Sequence, residues 1–238
     1  MMYTRLPLKG TYNTRDLGGY ATRDGVTAWK RFLRSDSLTN LQPEDIDFLR
    51  SYQLTTIIDL RSSQEIEKEP TPDIPGVENW AISLIPDNIG DVTQLKKPLL
   101  DMSDLYIQIL EERKDQMKQV FETMAAAEGC VLFHCAAGKD RTGVVAMLLL
   151  HLADVTAADI VVNYQITNTY LSANPLYAQQ AQTIVNKMLL SAPEYLWPVL
   201  DHLEETYQDA YHYLTSIGLP QETIIHLRNK LIDMGVTV

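Results

Sequence analysis

Residues 131–150 read VLFHCAAGKDRTGVVAMLLL, and this stretch decides the fold. Val131–His134 is a short apolar run of strand type, and Cys135 begins the loop that ends it. Thr142–Ala153 is helical in pattern and apolar almost all round, as a helix enclosed by the core must be. Gly138 supplies the backbone freedom of the tight turn between them. A strand, a tight loop and a buried helix in that order make half of a strand–helix–strand unit.

The flanking sequence extends the same architecture. Leu54–Leu60 (LTTIIDL) is β-branched and nearly continuously apolar, the pattern of a strand covered on both faces. Trp80–Ile85 reads as a further short strand. Leu99–Ala127 reads as one long helix with Leu105, Ile109 and Leu110 on one face, stopped by Gly129. Pro43 opens a helix running to Tyr52, with Glu44 and Asp45 in its first turn. Asp24-Gly25 marks a hairpin between Gly19–Thr22 and Val26–Leu33. Residues 61–79 read as mostly loop. From 156 onward every segment reads as helix, broken at Pro175, Pro193 and Pro220. The expectation is an α/β fold: a central, mostly parallel sheet flanked by helices, with a helical C-terminal part.

A length of 238 residues suits a single domain over 1–238. Within residues 171–193, Leu176, Ala181, Ile184, Val185 and Met188 recur at amphipathic spacing. Such a segment packs on the core or covers a pocket, so 156–193 is a candidate helical lid.

Composition narrows the partners. The formal net charge is −11, and the basic runs are no longer than Lys30-Arg31 and Lys96-Lys97. Such a chain repels nucleic acid. Mean hydropathy is −0.14, and the longest apolar run, Val144–Leu150, is far too short to cross a bilayer. Met1–Gly10 has no apolar h-region of a signal peptide, so the cytoplasm is the expected location. Cys130 and Cys135, separated by an extended segment of roughly 16 Å, lie beyond disulfide reach, which accords with a reducing compartment. Nothing in the sequence sets an oligomeric state.

The loop carries the chemistry. Its backbone N–H groups, backed by the positive end of the following helix, form a nest for a tetrahedral dianion. Ala136, Ala137, Gly138, Lys139 and Thr142 are the expected substrate-binding positions. Arg141, six residues after the cysteine, returns to the loop centre, where its planar fork binds two phosphate oxygens. Those dipoles favour the thiolate of Cys135 over its thiol. A thiolate below phosphorus is placed to attack it and to form a phosphocysteine. Thr142 is placed to hydrogen-bond the thiolate or the loop. His134 is expected to hold the loop backbone, and Cys130 to pack at the strand start. The other histidines lack metal-ligand spacing, so no metal and no cofactor are expected.

His134–Gly143 (HCAAGKDRTG) resembles the signature loop of the cysteine-dependent protein tyrosine phosphatase superfamily. Within it the form is similar to a bacterial branch typified by the mycobacterial B-type enzyme. Asn13–Gly19 (NTRDLGG), Leu33–Leu38 (LRSDSL) and Ile58–Arg61 (IDLR) support that branch. The resemblance implies a metal-free phosphatase acting on phosphotyrosine, with reach toward phosphoserine, phosphothreonine and phosphoinositides or inositol phosphates. It also implies Asp140, beside the arginine, as general acid, unless Asp140 only salt-bridges or caps the loop. Tyrosine phosphatases usually carry that acid in a Trp-Pro-Asp loop before the cysteine. Here Trp197-Pro198 comes after it and reads as a helix start. Asp59, at a strand end where α/β active sites lie, is the alternative acid, unless it orients Arg15 or Arg61. Asp87, Asp101 and Asp104 read as surface aspartates. Lys139 adds charge, either for a second phosphate or as a solvated side chain. Arg15, Asp16 and Asp36 contact substrate or brace the loop. A rhodanese-like sulfurtransferase and a non-catalytic phospho-ligand module are the competing functions. Arg141 followed by Thr142-Gly143 favours phosphate over sulfur transfer, and the intact Cys135–Arg141 pair favours turnover.

Overall fold

The computed structural model describes residues 2–85, 102–175, 177, 178 and 190–233. A five-stranded sheet runs in the order β1 (Arg15–Asp16), β3 (Phe32–Ser35), β6 (Cys130–His134), β4 (Leu54–Asp59), β5 (Glu78–Ala81). The β3–β6, β6–β4 and β4–β5 pairs are parallel, and only the edge strand β1 is antiparallel. The helices are α1 (Pro43–Ser51), α2 (Ser63–Lys68), α3 (Met102–Glu112), α4 (Lys114–Ala126), α5 (Arg141–Leu152), α6 (Ala157–Leu171), α7 (Pro193–Tyr207), α8 (Ala210–Ser216) and α9 (Gln221–Leu231). The expected α/β architecture with a helical C-terminal part is the one observed.

The two-residue period of β6 divides the core. Val131 and Phe133 face the larger apolar layer, shared with α3, α4, α5 and the C-terminal helices. Cys130 and Leu132 face the smaller layer, shared with Leu49, Tyr52, Ile74 and Val77. α5 is enclosed as its sequence demands, with Val144–Leu150 all buried. Register matters most for function. Ser35, His134 and Asp59 stand in one row at the carboxyl ends of three neighbouring parallel strands. The loop from Cys135 therefore rises from mid-sheet, flanked by the chain that leaves β3 and β4.

Several local expectations need correction. The long helix is two, α3 and α4, because Arg113 departs from helical geometry (φ −116°, ψ 33°). The segment 61–79, mostly loop as expected, also holds α2, which Ser62 caps through a capping box with Glu65. The strand after it is Glu78–Ala81 rather than Trp80–Ile85. The Asp24-Gly25 turn joins Ala21 to Val26, yet the strand does not continue to Leu33. Lys30 takes a left-handed φ of 62°, which separates β2 (Val26–Thr27) from β3. The C-terminal part is not wholly helical either, since β7 (Ile232–Asp233) pairs with β2. Finally, Pro193 opens α7, and Trp197-Pro198 lies inside it. Pro198 has no N–H for the carbonyl of Glu194, and the Ser103 hydroxyl takes that place at 3.3 Å.

Candidate active site

Cys135 is buried and unpaired at the end of β6. The next three peptide carbonyls are held from behind. Ala136 O accepts from Ser37 N at 2.9 Å. Asn13 Nδ2 donates to Ala137 O at 3.0 Å and to Gly138 O at 3.2 Å. Arg34 Nη2 also donates to Gly138 O, at 2.8 Å. Among the described residues no peptide bond is cis, so in each of these units the N–H points opposite to its C=O. The N–H groups of Ala137, Gly138 and Lys139 thus turn away from the scaffold, and the N-terminus of α5 follows directly. Gly138 is required twice over. Its φ is +64°, and a Cβ there would lie 2.4 Å from Ser35 O.

The upstream strings form the brace. Asp36 accepts from Tyr12 N and Asn13 N, both at 2.9 Å, which sets Asn13 under the loop. Arg15 donates to Asn13 O at 3.1 Å and to the Asn13 side chain. It also reaches α6, at Asn163 O (2.7 Å) and Thr167 Oγ1 (2.8 Å). Arg34 holds Asn163 Oδ1 at 2.6 Å. Burial lowers its pKa to about 10, so it remains a cation at neutral pH beneath the loop. Asp16 is elsewhere, accepting from Gly18 N, Lys30 N and the Tyr52 hydroxyl.

Arg141 opens α5 with only 11% of its side chain exposed. Burial opposes its charge, but the charges of Cys135 and Glu65 outweigh that and hold its pKa above the ordinary value. Glu65 on α2 receives Nη1 at 2.7 Å and Nη2 at 2.9 Å. Sequence reasoning missed Glu65. The signal was present, since Ser62-x-x-Glu65 is the pattern of a capped helix start.

The two candidate acids have different surroundings. Asp59 is buried, and both its oxygens are taken by Arg61, from Nε at 2.9 Å and Nη2 at 2.7 Å. Thr71 adds a bond at 2.8 Å. Burial pushes the Asp59 carboxyl up, but Arg61, His134 and Thr71 bring it below the usual range. Asp140 stands between loop and helix, partly open to solvent, with Lys139 Nζ 3.3 Å from Oδ1. The Tyr106 hydroxyl of α3 donates to the same oxygen. Tyr106 in turn meets the Tyr164 hydroxyl of α6 at 2.7 Å. The sequence showed α3 only as an apolar face and held no sign of this contact.

The remaining positions are placed as follows. Lys139 is not solvated. It is 3% exposed, and it also donates to Leu190 O at 3.3 Å. His134 is buried with Nδ1 3.2 Å from Cys135 O. A carbonyl only accepts, so Nδ1 carries the proton. Burial lowers the pKa of His134 to about 4. Thr142 Oγ1 is buried without a hydrogen-bond partner among the described residues. Asp104 is exposed. Asp87, Asp101 and residues 176 and 179–189 of the suggested lid lie outside the described residues. Among the described residues no cluster of His, Cys, Asp and Glu is arranged for a metal, and no helix is long and apolar enough to cross a membrane.

The N–H groups of Ala137, Gly138 and Lys139 turn away from their scaffold beside a buried cysteine, and Glu65 orients Arg141. Comparison with known proteins gives the family. Residues 6–233 match the pattern of the tyrosine phosphatase family. A tyrosine-protein phosphatase of Nostoc commune is 34% identical, over 86% of this chain and 75% of its own length. The triple specificity protein phosphatase PtpB of Mycobacterium tuberculosis is 27% identical, over 94% of this chain and 98% of its own. The sulfurtransferase and the silent binding module give way to that match: the chain belongs to the tyrosine phosphatase family and is a phosphatase.

Proposed function

We propose that the protein hydrolyses phosphomonoesters through a phosphocysteine on Cys135, with phosphotyrosine as principal substrate. The observation that carries this reading is the backward tethering of the Ala136, Ala137 and Gly138 carbonyls. The opposed N–H groups bind the equatorial phosphate oxygens without reorganising. Arg141 uses its end-on edge for Glu65 and keeps its Nε side for phosphate. Sulfur attacks phosphorus, the P–O bond to the leaving group breaks, and Asp140 gives that oxygen its proton. Water then attacks phosphorus, returns a proton to Asp140 and releases Cys135. Thr142, with an unused buried hydroxyl, is placed for that second step.

Asp140 serves as acid better than Asp59 because it is open to solvent and bonded through a single oxygen, while Arg61 keeps Asp59 ionised. The triple specificity named for the mycobacterial relative supports activity beyond a single class of substrate, which we extend to phosphoserine, phosphothreonine and phosphoinositides or inositol phosphates. Lys139, already against Asp140 and Leu190, argues for a role within the loop over capture of a second phosphate. We also read residues 1–238 as one phosphatase domain with 156–193 contributing a cover, supported by the family match across nearly the whole chain. Two free buried cysteines support a reducing, cytoplasmic setting, and the net charge of −11 gives nucleic acid no part.

The test is Cys135→Ser. It should abolish turnover yet retain binding of a slow phosphopeptide, because the basin and Arg141 persist. Activity within about tenfold of wild type would place the nucleophile elsewhere.

A further inference from the structure

We propose that Tyr106 is a positioning residue for Asp140, and that its hydroxyl, backed by Tyr164, assigns the acid's proton to Oδ2. The inference rests on Asp140 being the acid. Tyr106 is fully buried, and Tyr164 nearly so. Their rings meet edge to face with centroids 5.9 Å apart, and α3 and α6 both pack in the core, so the pair is a fixed support. Burial, followed by the charge of Asp140, holds the Tyr106 phenol well above its ordinary pKa. It therefore stays neutral and has one proton to give. That proton goes to Asp140 Oδ1. Tyr106 must then accept from Tyr164, which fixes the direction of the chain: Tyr164 donates to Tyr106, and Tyr106 to Asp140.

Lys139 also lies against Oδ1, at 3.3 Å. Both donors thus meet one oxygen, and no hydrogen bond reaches Oδ2 from the described residues. A proton on Oδ1 would collide with the Tyr106 hydrogen and the ammonium. The protonated acid carries it on Oδ2. In the chemical step the Oδ2–H bond breaks, the leaving oxygen takes the proton, and the carboxylate so formed is stabilised by the bond that Tyr106 already makes. No regrouping of donors is needed at the moment of transfer.

Among the described residues, the charged and titratable groups around Asp140 are Lys139 and Arg141 from its own segment, Tyr106 from α3, Tyr164 from α6, and Tyr177. Tyr106→Phe removes a donor that favours the carboxylate and changes none of the charges. The descending limb of the rate profile, which requires the proton, should move to higher pH.

The experiment compares kcat/KM on phosphotyrosine and nitrophenyl phosphate for wild type, Tyr106→Phe, Asp140→Asn and the double variant. Tyr106→Phe should lower phosphotyrosine hydrolysis about tenfold and nitrophenyl phosphate less than about threefold. In the Asp140→Asn background it should add less than about twofold, since Tyr106 acts through that carboxylate. Equal losses on both substrates, an unmoved limb, or losses that multiply in the double variant would overturn the proposal and leave Asp140 as acid if Asp140→Asn alone shows the leaving-group dependence. If Asp140→Asn lacks that dependence, the acid assignment falls and this inference with it. Should Tyr106→Phe fail to fold, Tyr164→Phe keeps the contact with Asp140 but removes its support. A selective loss of about threefold on phosphotyrosine is then expected, and equal effects on the two substrates would overturn the proposal.

Discussion

Glu65 meets Arg141 end-on, with its two carboxylate oxygens 2.7 Å from Nη1 and 2.9 Å from Nη2. A planar guanidinium held at that edge cannot rotate, so its Nε edge has one direction to offer. Glu65→Gln keeps the shape but loses one charge-assisted bond. We expect kcat/KM to fall about thirtyfold, or ~2 kcal/mol, with weaker vanadate binding. The pair is also acid-sensitive. Burial pushes the Glu65 carboxyl up, but Arg141 and Ser62 bring it below its ordinary value. Its stabilisation is full above the unfolded pKa and is lost as pH falls through the folded one. Loss of vanadate affinity on acidification should be shallower in Glu65→Gln.

Arg141→Lys replaces a fork by a point charge. It should cost at least about a hundredfold in kcat/KM, or ~2.7 kcal/mol. Steady-state kinetics on phosphotyrosine peptide check this, and a change below about fivefold would move the phosphate clamp elsewhere.

The two aspartates separate cleanly. Asp140→Asn should slow phosphotyrosine, whose phenolate has a pKa of about 10, far more than nitrophenyl phosphate, and should flatten the basic limb of the pH profile. Asp59→Asn should leave that leaving-group dependence intact. Its effect should appear in stability, because Arg61 is then buried without its ion pair, at a cost of ~3 kcal/mol. Thermal melts of the two variants, beside the substrate comparison, decide the matter.

Gly138→Ala tests the loop itself. The substitution strains a φ of +64° and drives a Cβ to 2.4 Å from Ser35 O. The loop must shift, and the N–H groups with it. Turnover should fall by more than about a hundredfold, and the melting temperature should fall as well, since the Cβ meets the backbone at the end of β3.

His134 gives the fold a pH dependence of its own. Burial lowers its pKa to about 4 in the folded state, while the unfolded chain titrates near 6.5. Between these values only the unfolded state takes up the proton. Stability from this residue is therefore full above pH ~6.5 and declines as pH falls toward ~4, by about 3 kcal/mol in all. Denaturant melts from pH 7 to 4 should show a shallower slope in His134→Asn.

How legible was this in the sequence? The strand–loop–helix around Cys135 was readable because burial and periodicity there are both extreme. Val131 to Leu150 has almost no polar residue except in the loop. The strand LTTIIDL was readable for the same reason. What stayed hidden depends on partners distant in the chain. Asn13 and Gly138 are far apart in sequence, and only the row of Ser35, His134 and Asp59 at the strand ends brings their segments together. Tyr106 sat in an apolar stripe where its hydroxyl gave no signal. The break at Arg113 left no mark either, because the apolar period runs through it. Glu65 was legible in principle through its capping box, but the prolines at 70, 72 and 75 drew its segment toward a loop reading. Pro198 misled because proline commonly opens a helix, and here the Ser103 hydroxyl stands in for the missing N–H.

The central claim is that the substrate's phosphate passes through Cys135. The direct measurement is rapid acid quench of the working enzyme with a phosphotyrosine substrate, followed by peptide mass spectrometry. The account expects one phosphate on the peptide bearing Cys135, formed within the first turnover and absent from Cys135→Ser. Phosphate on another side chain, or turnover with Cys135 unmodified at every time point, would contradict it.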